Sequence, residues 1–142
     1  MTLTSRLDLR LAVAASLEQW LVPEYAVTGF AEPPADFGGQ SPIYVVTSGG
    51  TDRTTPGRQT FGGQIAPPIY LTVVTMALAT GNADTHLDTL EHRIAEWVDA
   101  NQKRDHWSAI SHAGRTETTD VTTIRDGKQY RIETIPLVFT GK

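Results

Sequence analysis

The 142-residue chain contains no cysteine. That excludes a disulfide framework, a thiolate nucleophile and every cysteine-ligated metal site. Positive charge is scarce as well. Twelve Lys and Arg stand against sixteen Asp and Glu, a net charge of −4. A dedicated nucleic-acid binder needs a basic face to neutralise phosphates, and this balance does not supply one. No run approaches the ~20 apolar residues of a membrane-spanning helix, and the N-terminus has no signal-peptide pattern, so no membrane association is expected. With 39% hydrophobic and 20% charged residues the chain is not of the disordered class. A single domain over 1–142 is expected, burying roughly two thirds of its extended surface without staples.

What the chain has in plenty is threonine: twenty residues, many in 47–60 and 116–123. Threonine is stiff at its first side-chain torsion and suits a half-buried or solvated strand. Composition therefore leans towards a β-containing fold with exposed strand faces.

Hydrophobic spacing predicts a first helix from about Ser5 to Leu21, with Thr4 or Ser5 as N-cap and Asp8 in a weak capping box. Leu7, Leu11, Ala14 or Ala15, Leu17 and Leu21 recur at helical spacing and are its expected core face; Pro23 stops it. Tyr25 to Phe30 reads as a short strand, and Glu32 to Gln40 as a loop. SPIYVVT at 41–47 and PPIYLTVVT at 67–75 are two further strands, each with proline at or before its first residue. A second helix is expected from Asn82 or Asp84 to about Asp105. Leu87, Leu90, Ile94, Trp97 with Val98, and Asn101 form its apolar face, and Lys103 and Arg104 its basic last turn. A strand from Trp107 to His112 follows, then two Thr-rich runs meeting at Asp126-Gly127, a strong hairpin signal. In the last strand Tyr130, Ile132 and Thr134 should face one way and Arg131, Glu133 and Ile135 the other. Pro136 marks a bulge or an edge position. The expected fold is α+β, a mainly antiparallel sheet with two helices packed on one face.

Between the two proline-led strands lies SGGTDRTTPGRQTFGGQIA, without a hydrophobic period. Loops of that length inside a domain are uncommon and tend to be functional or disordered. It reads as a long projecting loop or hairpin arm, about 49–66, tipped near Thr55-Pro56-Gly57. Its Arg53 and Arg58 could meet phosphate, but two arginines in an acidic chain give little counterion release. Contact with a neighbouring copy or a partner protein is the other reading. Arg53, Thr55, Arg58 and Phe61 of the arm, with Trp20 and Trp107 at the ends of their elements, are the candidate subunit or partner interface.

Catalytic patterns are weak. Asp88, His92 and Glu96 repeat at i, i+4 on the second helix, a spacing that can hold a divalent metal if another ligand arrives from elsewhere. HExxH is absent, as is any pair of helical histidines four apart, and mixed charges on a solvated helix face explain the pattern equally. There is no G-x-S-x-G elbow. The pairs Gly38-Gly39, Gly49-Gly50 and Gly62-Gly63 lack the strand and helix context of a phosphate cradle. Glu117 and Asp120 lie on a strand expected to be exposed. No enzyme, no cofactor and no metal are expected.

Taken in order, LDLRLAVAASLEQWL, PIYVVTSGG with its arm, PPIYLTVVTMALAT leading into HLDTLEHRIAEWVDA, and QYRIETIPLVFTG after a Thr-rich hairpin resemble the tail terminator, or tail completion, proteins of long-tailed bacteriophages. The resemblance spans nearly the whole chain but has no catalytic signature to match. It implies an α+β virion subunit of the tail–neck region, assembled in the host cytoplasm. Such subunits form a homohexamer ring that caps the tail tube, ends tail elongation and joins the tail to the head. The implied partners are further copies, the tail tube protein, the head–tail connector or stopper protein, and the sheath protein in sheathed tails. Genomic DNA passes through the lumen without specific binding. The same order of elements could belong to another neck or head–tail adaptor protein. A small metal- or ligand-binding domain built around His92 is the reading from a different class.

Overall fold

A computed structural model describes residues 6–22, 27–31, 37, 41–51, 58–59, 65–66, 68–80, 82–123 and 127–141. Helix α1 spans Arg6–Leu21. Strands β1 (Thr28–Phe30), β2 (Ile43–Thr51), β3 (Arg58–Gln59), β4 (Ile65–Ala66) and β5 (Ile69–Leu78) follow. Then come α2 (Ala83–Ala100), β6 (Trp107–His112), β7 (Glu117–Thr123) and β8 (Gln129–Gly141). The main sheet runs β1-β2-β5-β8-β6, with β7 also on β8, and β3 and β4 form a separate two-stranded sheet. Among the described residues only β1 on β2 is parallel; the other pairs are antiparallel. The fold is α+β, as the residue pattern predicts. No helix among the described residues is long and apolar enough to cross a membrane.

Both helices cover one face of the sheet. α1 packs on β1 and β2, α2 on β5 and β8, and the helices touch each other. Strand alternation sorts the core accordingly. Tyr44, Val46, Leu71, Val73, Ile135, Leu137 and Phe139 pack beneath the helices. Ile43, Val45, Met76 and Tyr130 face the other side, where Phe37 covers them edge-on against Phe30 and Tyr130. The alternation expected for the last strand holds.

α2 buries Leu87, Leu90, Ile94, Trp97 and Val98, the face its sequence predicts, but it ends at Ala100 and not near Asp105. Asn101 stops it. Its side-chain amide donates to the Trp97 carbonyl at 2.9 Å, while Trp107 Nε1 donates to the Asn101 carbonyl at 2.8 Å. The chain must turn back for Trp107 to reach the core, and the Arg104 N–H to Trp107 carbonyl bond closes that turn. Lys103 and Arg104 therefore lie in the turn, not in the helix.

α1 departs further from expectation. Its buried residues are Leu9, Val13, Leu17 and Leu21, while Leu7 and Leu11 stand about half exposed. Apolar residues ring this helix, so spacing alone admits two stripes, and the sheet takes the one through Leu9 and Val13.

Three strand details follow from single residues. Gly29 lies opposite Tyr44, and a Cβ there would overlap the Tyr44 ring, so the glycine makes room for it. Gly127 has φ 78°, the backbone that a tight turn into β8 requires. Pro136 sits inside β8, between β5 and the edge strand, and its carbonyl accepts from the Ala113 N–H at 2.9 Å. A strand residue's N–H and C=O point to the same neighbour. The donor Pro136 lacks would thus face the edge strand, and there that strand breaks into β6 and β7.

Within the segment expected as an arm, β3 pairs antiparallel with β4, Arg58 opposite Ala66 and Gln59 opposite Ile65. The expected tip at Thr55-Pro56-Gly57 lies outside the described residues.

Candidate assembly interface

The six interface candidates separate in the structure. Arg53, Thr55 and Phe61 lie outside the described residues, and Arg58 falls in β3 opposite Ala66. Trp107 is a core residue, not a surface anchor. It is fully buried, its ring centroid 5.4 Å from Phe139 and 6.0 Å from Trp97. Burial follows from β6, whose register with β8 turns Trp107 towards the helices. Trp20 is half-buried in the seam between helices, where its Nε1 donates to the Arg93 carbonyl at 3.0 Å. The Arg93 guanidinium lies 5.9 Å from its ring centroid. Trp97 Nε1 bonds Ser16 Oγ at 2.9 Å across the same seam. The three tryptophans hold the subunit together.

One polar row crosses the helix-covered face. Tyr44 pairs with Thr75, Thr75 with Glu133, and Glu133 with Thr118. Tyr44 lies under α1 and donates from its hydroxyl to the Ala14 carbonyl at 3.4 Å. Burial, with help from the Glu18 charge, pushes its pKa up to about 12. Glu133 lies towards the other edge and is also buried. Thr118 Oγ1 donates to its Oε2 at 3.0 Å, which favours the anion. Burial raises its pKa nonetheless, and Glu91 and Asp88 on α2 raise it further. Both of these charges are negative, while Arg131, two residues before Glu133 on the same strand face, pairs with Asp84.

No protein-family model matches this chain, and no curated protein matches it.

What the fold presents to a partner is therefore read from its surfaces. A cleft of about 470 Å³ separates α1 from the turn after α2, with Ala12, Ala15 and Gln19 on one wall and Lys103, Arg104 and His106 on the other. A second, of about 360 Å³, lies between β7 and the first turn of α2, lined by Thr80, Ala83, Asp84, Thr85, Val121 and Arg131. Asp84 and Arg131 pair at 3.1 Å on its rim. His92 and Glu96 are 3.6 Å apart on solvated α2. Among the described residues no three His, Asp or Glu side chains are grouped to hold a metal ion. Gly49-Gly50 belongs to β2, at its register shift against β5, which accounts for one glycine pair as a bulge.

Residue spacing missed the exposed apolar side chains. Among the described residues these are Leu7, Leu11, Val22 and Val121. For Leu7 and Leu11 the signal was present, since α1 has more apolar residues than one face can bury. For Val121 it was not, because a strand's exposure depends on what covers it.

Proposed function

We propose that this chain is a structural virion subunit of the tail-terminator kind. Copies close into a six-membered ring that caps the tail tube and ends its elongation. The opposite face of the ring joins the head–tail connector or stopper protein, and in a sheathed tail the ring also meets the sheath. The observation that carries this reading is the pair of unlike sheet edges. One edge is the three-residue, parallel β1; the other is the broken strand β6 and β7. Unlike edges favour head-to-tail contacts, and such contacts make rings when the rotation closes. The chain leaves the central pair β2 and β5 at Thr51 and returns at Ile69, along the strands and not across them. On this reading the two edges meet neighbouring copies. The net charge of −4 suits a lumen through which DNA slides without sticking.

The test is light scattering after size exclusion across concentration, with and without Mg²⁺, followed by negative-stain imaging. A closed ring of six subunits is the expected result. A chain that stays monomeric both alone and with purified tail tubes overturns the reading.

A further inference from the structure

Cations gather at one end of the helix layer. The turn after α2 places Lys103, Arg104 and His106 along one wall of the cleft of about 470 Å³, with Asp105 among them, and α1 forms the other wall. The Ser16–Trp97 and Trp20–Arg93 bonds set the two helices antiparallel. The start of α1, with Arg6, Asp8 and Arg10, therefore lies towards this end, as does Asp99 in the last turn of α2. Glu18 on α1 and Asp84, Asp88 and Glu91 on α2 lie at the far end.

The cations of the turn are not spent on the fold. A helix C-terminus leaves carbonyls that basic side chains often satisfy. Here the Asn101 amide donates to the Trp97 carbonyl at 2.9 Å and Gln102 Nε2 to the Val98 carbonyl at 2.8 Å. Among the described residues, the exposed side chains of Lys103, Arg104 and His106 have no hydrogen bond or ion pair. Across the cleft Ala12 and Ala15 are too short to fill it, and Gln19 offers an amide. Ser16 Oγ accepts from Trp97 Nε1, which leaves its own proton to donate. Donors thus line both walls, and Asp105 is the one carboxylate.

The class of ligand follows from that lining. Small-molecule sites are mostly apolar and enclose their ligand, whereas this cleft is open and lined by charged and polar side chains. A nucleic-acid backbone needs more cations than Lys103 and Arg104 supply beside an aspartate. An acidic stretch of protein presents carboxylates one at a time, and Arg and Lys pair with them singly. We propose that the cleft between α1 and the turn after α2 docks an acidic segment of a partner protein. Its carboxylates pair with Arg104 and Lys103, and Ser16 and Gln19 donate to its main chain. The site is complete within one copy, so it stands apart from the ring reading.

The probe is acetylated hexaglutamate amide, titrated into the isotope-labelled full chain at low salt, where exposed charges are least screened. Saturable amide shifts should collect in 12–19 and 102–107. The double variant K103E/R104E should weaken binding about tenfold or more. Arg115→Glu, at an exposed cation outside the cleft, should change it less than about twofold. Ala15→Glu sets a carboxylate inside the cleft and should give the same loss as the double variant, in a chain whose spectrum shows it folded. Shifts that do not saturate, or that collect elsewhere, would overturn the proposal, as would equal weakening by Arg115→Glu. Pyrophosphate or a short DNA duplex moving the same amides at lower concentration than the peptide would assign the cleft to phosphate and overturn the choice of a protein segment. Oligomer size, read by light scattering, is independent of all these outcomes.

Discussion

The two helices lie side by side on one sheet face, yet they relate to the core differently. α2 is amphipathic: its apolar residues occupy one stripe, all of it buried, and its remaining faces carry charge. α1 has an apolar stripe towards the sheet and a second one towards solvent. A helix that only had to cover the sheet would need the first stripe alone. The second leaves Leu7, Leu11 and Val22 about half exposed. The polar row beneath repeats the contrast. Tyr44 under α1 is neutral at physiological pH and bonded, whereas burial and the Glu91 and Asp88 charges on α2 work against the ionised form of Glu133.

The sharpest break in the core should come from Trp107→Ala. It empties the packing between Trp97 and Phe139 and leaves the Asn101 carbonyl without its donor, a loss of about 3–5 kcal/mol in denaturant unfolding. The two stripes of α1 separate next. Leu17→Ala should cost about 3 kcal/mol in denaturant unfolding, while Leu11→Ala should change subunit stability by no more than about 0.5 kcal/mol. Equal losses at the two positions would erase the distinction.

Alkaline pH tests the α1 end of the row. The folded-state pKa of Tyr44 lies above its unfolded value, so its contribution is intact below about pH 10 and is lost as pH rises through about 12. Roughly 2–3 kcal/mol should disappear over that window in the wild type and persist in Tyr44→Phe, read from urea midpoints at paired pH values. The smallest effect concerns the other end. Glu133 also has a raised pKa, so its contribution is fully present below the ordinary carboxylate value and lost as pH rises through the folded one. Glu133→Gln keeps an acceptor for Thr118 and removes the charge, and should stabilise the subunit by about 1 kcal/mol at neutral pH. The two proteins should converge in mild acid.

Much of this fold was legible in the sequence. The order of elements, the buried face of α2 and the alternation of β8 follow from periods of 3.6 and 2, which a single buried face imposes. The limits of that legibility have physical causes. On α1 the pattern is degenerate, and Leu7 and Leu11 fit helical spacing as well as Leu9 and Val13. The end of α2 was set by a contact six residues away in sequence, the Trp107 indole on the Asn101 carbonyl. Trp107 itself looked like an interface anchor because it opens a strand, but register decided where it points. The candidate interface was the least legible part. Being exposed is a property of what surrounds a residue, and Val121 carries no local mark of it.

The sequence by itself determined the class of the protein: a cysteine-free, mildly acidic, threonine-rich α+β chain with strands introduced by proline and one clean amphipathic helix. Those are properties of composition and of short-range period, and they survive without knowledge of neighbours. Only the tertiary structure decided which stripe of α1 is core, that the edge strand breaks across from Pro136, and that Leu7, Leu11 and Val121 are left exposed. Each depends on residues far apart in the chain arriving at one place, and no local pattern encodes that arrival.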